Sequence, residues 1–181
     1  MNMPTFLRVF LIAAIAAVSI VLAWSSARAD EARLATLTTA PDFSGGGEWI
    51  NSPPLRMSQL RGKVVLVEFW TYSCINCLRV APYVSQWHAR YADQGLVVVG
   101  VHTPEYGYER VGANVREAVR HLDIQHPVVQ DNGYRIWNAY GNQYWPALYL
   151  IDREGRVVYR HFGEGAYDRT EARIRALLAA R

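Results

Sequence analysis

The sequence predicts an α/β fold with three layers (α/β/α), a mixed central sheet and a C-terminal β-hairpin followed by a helix. Three observations predict it. Val64–Trp70 and Leu96–Val101 are continuous apolar runs of strand length, suited to a parallel sheet buried on both faces. Segments of helical period separate the strand-like runs, as crossover connections between parallel strands require. Near the end of the chain, Ala147–Ile151 and Val157–Phe162 flank the turn Asp152-Arg153-Glu154-Gly155, which adds an antiparallel pair.

The remaining elements follow in order. Residues 30–39 read as a polar linker ahead of a single domain, residues 40–181. Ala40-Pro41-Asp42-Phe43 and Gly45-Gly46-Gly47 read as loop, and Glu48-Trp49-Ile50 as a short strand before Asn51-Ser52-Pro53-Pro54. Met57–Arg61 makes one helical turn that Gly62 ends. Ile75–Ala92 has helical length, with Val80, Val84, Trp87 and Tyr91 on one stripe. Pro82 is expected to kink it and Gly95 to stop it. Glu109–Leu122 reads as a second helix, Pro127–Gln130 as a short strand, Gly133–Tyr140 as a short helix and Thr170–Ala180 as the last helix.

Residues 1–29 have the character of a secretory signal peptide. Arg8 is a positive n-region, Val9–Ala23 is apolar, and Ala27-Arg28-Ala29 is a small-x-small cleavage pattern. The rival reading is an uncleaved anchor, but the apolar stretch is shorter than the ~20 residues of a spanning helix. The leader holds Arg8 and Arg28 and no acid, so its removal lowers the formal charge from +3 to +1. The basic pI therefore implies no nucleic-acid partner. At 51% hydrophobic over its 181 residues, the chain has enough apolar content for one core.

Cys74-Ile75-Asn76-Cys77 holds the only two cysteines of the chain. Thiols three positions apart share one face of a helix, close enough to form a disulfide. A thiol at a helix N-terminus faces unpaired backbone N–H groups and the positive dipole end, which favour the thiolate, the nucleophile of disulfide exchange. A ring over two intervening residues constrains the unfolded chain little, which argues for a redox pair over a structural staple. Position 78 is Leu, so a haem attachment motif is absent, and no second CxxC or close His pair completes a zinc site. Glu68 interrupts the apolar strand before Cys74. Burial there raises its pKa and makes it a candidate proton acceptor for Cys77.

Val67-Glu68-Phe69-Trp70-Thr71-Tyr72-Ser73-Cys74-Ile75-Asn76-Cys77, with Pro82 and the later Trp145-Pro146, resembles the thioredoxin-like superfamily. Trp49–Leu55, Gly100–Glu105 and Tyr140–Pro146 are similar to the TlpA/DipZ-type exported thiol-disulfide oxidoreductases. The resemblance implies Cys74 as attacking thiol, Cys77 as resolving thiol and a cis bond before Pro146 facing them. It leaves Trp145, Pro146 and Tyr72 to border the substrate. It also implies exported protein thiols or disulfides as partners, a membrane electron donor of the DsbD/CcdA kind, a monomer, and no cofactor beyond the Cys74–Cys77 disulfide. The expected location is periplasmic, or tethered to the outer face of the inner membrane, and the expected role is that of a reductant. His102, Thr103 and Glu105 read as neutral loop residues near the site. Two alternatives stand beside this one. A copper-binding assembly factor would add His161 or His102 to the thiols. A peroxiredoxin-like peroxidase would use Thr71, three residues before Cys74, although position 67 is Val where that pattern has Pro.

Overall fold

The computed structural model describes residues 38–180. The leader at residues 1–29 and the start of the linker lie outside the described residues. Pairing begins at once: the Val157 N–H donates to the Thr38 carbonyl (2.9 Å), and Thr39 bridges Arg156.

The chain forms β1 (Trp49–Ile50), β2 (Val64–Trp70), α1 (Ile75–Tyr91), β3 (Leu96–His102) and α2 (Gly112–His121). It continues through β4 (Val128–Gln130), α3 (Arg135–Ala139), β5 (Ala147–Ile151), β6 (Val157–Phe162) and α4 (Tyr167–Ala179). The six strands lie in the order β1-β4-β3-β2-β5-β6. β2, β3 and β4 are parallel, whereas β1, β5 and β6 run antiparallel to their neighbours. This is the mixed sheet that the apolar runs and the terminal hairpin predict.

β2 is the central strand, and its side chains alternate between two cores. Val65, Val67 and Phe69 pack with Ile136, Trp137 and Tyr140 at α3, on one face. Val64 and Leu66 pack on the other face with Val80, Val84, Trp87 and Tyr91 of α1 and Ile174 of α4. The stripe read from the sequence is therefore the buried face of α1. Trp70 extends that side to Val119 of α2 and Val128 of β4.

Two helices differ from expectation. α1 contains Pro82 and ends at Tyr91, one residue short of the expected Ala92. A 3-10 turn (Ala92–Gln94) follows, and Gly95 closes it at φ 102°, a left-handed conformation that glycine adopts without a Cβ clash. The run read as one helix from Glu109 is two elements: a 3-10 turn (Gly107–Arg110), a break at Val111, then α2. Glu109 causes the break, because its side chain is spent on backbone N–H groups before it.

Candidate active site

β2 ends at Trp70, and Thr71–Ser73 lead the chain into the first turn of α1, just beyond the carboxyl end of a central strand. Cys74 is the N-cap, with extended φ and ψ of −75° and 115°. Its Sγ accepts from the Cys77 N–H (3.4 Å), and its carbonyl accepts from the Leu78 N–H (3.0 Å). The sulfur thus takes the place a Ser or Asp side chain usually fills at a helix start. Cys74 is half-buried and Cys77 fully buried, and both are free thiols. Burial pushes the Cys77 thiol far up. Its hydrogen bond with Cys74 and the nearby charges of Cys74 and Glu68 push the same way, while the Thr71 backbone opposes them. The two thiols are therefore unequal: one is accessible at a helix N-terminus, and the other is held protonated beneath it.

Glu68 lies within β2, between Gly100 of β3 and Leu148 of β5. It is 3% exposed, and burial raises its pKa to about 8, so the carboxyl is mostly protonated at neutral pH. Gly100 makes room on this face. A Cβ there would stand 3.0 Å from Trp70 Nε1 and 3.3 Å from His126 Nε2. His126 is buried, and burial with the neighbouring His88 depresses its pKa to about 3, so it is neutral.

The Trp145–Pro146 bond is cis. Pro146 is buried at the head of β5, and its carbonyl accepts from the Gly163 N–H (2.8 Å). The Trp145 indole lies against Trp137, with ring centroids 4.1 Å apart, and its N–H donates to the Thr103 carbonyl (3.0 Å). Trp145, Tyr72 and Cys74 pack against one apolar cluster that contains Cys77 and Trp70. The fold thus brings together Cys74, Cys77, Tyr72 and Trp145, with Pro146 following Trp145 and Glu68 close enough for its charge to act on Cys77.

A second layer was not anticipated. Glu109 is fully buried and accepts from the Ser73 hydroxyl (2.5 Å) and from the N–H groups of Glu105 (2.6 Å) and Tyr106 (2.9 Å). Burial alone would raise its pKa, but the hydrogen bonds from Ser73, Thr71 and the backbone outweigh it and hold the carboxyl below its usual range. Glu109 is a charged anchor directly under the residue before Cys74. One sequence signal was available: it stands three residues after an N-cap, the spacing at which a Glu reaches back to the cap's own N–H.

The loop after β3 is likewise not neutral filler. His102 is buried, its Nε2 3.3 Å from Thr71 Oγ1 and its ring stacked on Tyr72 at 5.6 Å. Burial lowers its pKa to about 4. Thr103 supplies the carbonyl that holds Trp145, and of His102, Thr103 and Glu105 only Glu105 stands exposed. Thr71 is buried and its hydroxyl serves this network. Among the described residues, no three His, Cys, Asp or Glu side chains converge in metal-binding geometry. Neither His102 nor His161 therefore joins the thiols in such a group.

Comparison with known proteins places this arrangement. A solved structure of a putative thiol:disulfide interchange protein DsbE from Chlorobium tepidum superposes with a TM-score of 0.70 at 26% identity, over 79% of this chain and 97% of that one. The fold is thioredoxin-like. The AhpC/TSA family model matches residues 37–160. Protein DipZ of Mycobacterium bovis is 50% identical over 150 residues, 81% of this chain and 22% of DipZ, so the chain spans only a fraction of that relative's length. Thiol-disulfide oxidoreductase YkuV of Bacillus subtilis is 30% identical over 139 residues, 77% of this chain and 93% of YkuV. The chain belongs to the AhpC/TSA family, and its similarity extends to proteins named as thiol-disulfide oxidoreductases.

Proposed function

We propose that the protein exchanges disulfides with exported protein substrates through Cys74 and Cys77, in the reducing direction. The observation that carries this reading is the inequality of the two thiols: Cys74 half-open at a helix N-cap, Cys77 buried below it and protonated. Cys74, as thiolate, attacks one sulfur of a client disulfide. The Cys74–client bond forms, the client S–S bond breaks, and the other client sulfur leaves as a thiolate that takes up a proton. In the fraction of molecules whose Glu68 has released its own proton, Glu68 takes the proton of Cys77, which attacks Cys74 Sγ. The second client sulfur leaves and recovers that proton. Two electrons pass to the client, which becomes a dithiol, and the protein becomes a Cys74–Cys77 disulfide.

Trp145 and Pro146 border this chemistry from the β5 side and Tyr72 from the β2 side. Main-chain pairing at residue 145 would hold an extended client segment. Reducing equivalents come from a membrane donor of the DsbD/CcdA kind, and the protein acts as a monomer outside the cytoplasm, periplasmic or tethered. The signal-like leader and the kinship with DipZ support that location. No helix among the described residues is long and apolar enough to cross a membrane.

The test is trapping. Reduced Cys77→Ala protein, mixed with a disulfide-bonded protein such as insulin, is expected to accumulate a mixed disulfide through Cys74, which mass spectrometry identifies. Cys74→Ala is expected to accumulate none. Trapping by Cys74→Ala instead would reverse the assignment of the two thiols.

A further inference from the structure

Four nitrogens in one part of the interior have no hydrogen-bond partner among the described residues. They are Trp70 Nε1, both ring nitrogens of His126, and His88 Nδ1, and all four are buried. The large majority of buried polar atoms in native proteins are bonded, so a cluster of four calls for a common explanation.

The cluster gathers at Gly100. Trp70 Nε1 and His126 Nε2 both face the bare side of this residue, 3.0 Å and 3.3 Å from where a Cβ would stand. Gly100 of β3 is in register with Glu68 of β2, and paired residues on neighbouring strands point to the same face. The Glu68 side chain therefore leaves the sheet on the side of these two nitrogens. Backbone contacts fix His126 there. The Asn51 amide donates to its carbonyl (3.0 Å) and to that of Ile124 (2.7 Å), and the Gly100 N–H donates to the Pro127 carbonyl (2.9 Å). On its other side His126 meets His88, with ring centroids 5.8 Å apart at 68°. His88 is half-buried and lies in the last turn of α1, about three turns from Cys77. A line of polar groups thus runs from Glu68 to the surface without passing the thiols.

We propose that a buried water sits between Trp70 Nε1, His126 Nε2 and the Glu68 carboxyl, and that His126 and His88 continue from it as a proton route between Glu68 and solvent. The indole N–H and the Glu68 hydroxyl donate to the water, and the water donates to His126 Nε2, about the three hydrogen bonds typical of an internal water. This rests on the reading that Glu68 accepts the Cys77 proton after Cys74 has attacked. Glu68 must first lose its own proton, at a moment when the client is bonded to Cys74 and lies over the thiols. The route opens on the far side. The Glu68 O–H bond breaks as its proton passes to the water, and the water gives a proton to His126 Nε2. His126 gives its Nδ1 proton to His88, and His88 releases one to solvent. After the client has left, Glu68 is ionised, and one proton returns through the same groups and restores each tautomer. His126 is a positioning residue, because it acts through the water and Glu68.

The experiment uses the full-length reduced protein. A long-lived water is expected to give a nuclear Overhauser effect to the Trp70 indole proton. Gly100→Ala, whose Cβ crowds both nitrogens, is expected to abolish it, and His88→Phe to keep it. A cysteine peptide linked to 5-thio-2-nitrobenzoate separates the two chemical steps. Colour release reports attack by Cys74, and acid quenching with mass spectrometry follows decay of the mixed disulfide. His126→Phe and His88→Phe are each expected to slow that decay about tenfold, less than loss of the base itself. The slowing is expected in the decay and not in the colour release. Absence of the water signal in the wild type overturns the proposal, as does decay at the wild-type rate in either histidine variant. If His126→Phe does not fold, His88→Phe and Gly100→Ala decide by the same criteria. Wild-type decay in Glu68→Gln would instead overturn the Glu68 reading beneath, and absence of colour in the wild type the Cys74 reading.

Discussion

Glu68 and Cys77 present the sharpest residue-scale problem: a carboxyl and a thiol, both made costly to charge by burial, with the Glu68 charge adding to the cost of ionising Cys77. Only one of them ionises readily, so Glu68 accepts the Cys77 proton only once it has released its own. The resolving step should therefore accelerate as pH rises through about 8, the pKa that burial gives Glu68. In Glu68→Gln that limb is expected to vanish and the step to slow by roughly 10²-fold, the lower end of what a positioned base contributes. Stopped-flow decay of the mixed disulfide against pH measures both. The thiols and Glu68 were legible because sequence neighbours encode them: a charge inside a strand, then two cysteines at a helix start. Glu109 was not legible, because it lies 36 residues from the Ser73 it holds, and no local pattern announces so distant a contact.

At the scale of elements, the decisive unit is the loop from Pro104 to Val111, clamped onto the β2–α1 junction. Its backbone turns around a carboxylate instead of entering a helix, which is why the sequence reading of one helix from Glu109 merged two elements. The helical period was real, but it belongs to α2 alone, whose buried Val115 and Val119 repeat at four. Glu109→Ala would leave the Ser73 hydroxyl and two backbone N–H groups without their acceptor. Because water reaches part of this loop, the expected loss is about 2 kcal/mol in urea unfolding. The folded carboxyl lies below its usual 4.5, so its contribution is present above that pH. The gap between wild type and variant should therefore narrow as pH falls through the depressed folded value. Boundaries elsewhere moved by one to three residues, as at α4, which begins at Tyr167, a residue that itself packs on the core with Ile174.

Over the whole molecule, buried titratable groups set a narrow band of greatest stability. Glu68 binds a proton more tightly folded than unfolded, so stability is full below about 4.5 and is lost as pH rises to about 8. His102 and His126 are buried neutral, at about 4 and 3 against 6.5 unfolded. Their contribution is full above 6.5 and is lost as pH falls through those values. Between pH 4.5 and 6.5 the two histidines outweigh the one glutamate, so the melting temperature is expected to peak near pH 6.5 and to decline on both sides, with Glu68→Gln removing the decline above the peak. A melting temperature level from pH 5 to 9 in the wild type would contradict this. The order of strands and helices was readable from alternation alone, because each strand's period and each crossover's length are local. The choice of neighbours was not, since β1 pairs with β4 across most of a domain.

The sheet's two margins have a further consequence. Under the proposed function, the protein would meet extended client segments able to pair with an exposed strand edge. One margin here is β1, only two residues long, and the other is β6, which carries Arg160 and His161 along its length. A short edge and a charged edge both resist templated pairing. Under the proposed function, client chains would be held at the sulfur, where contact ends when a bond breaks, and away from the strand edges, where contact could spread into aggregation.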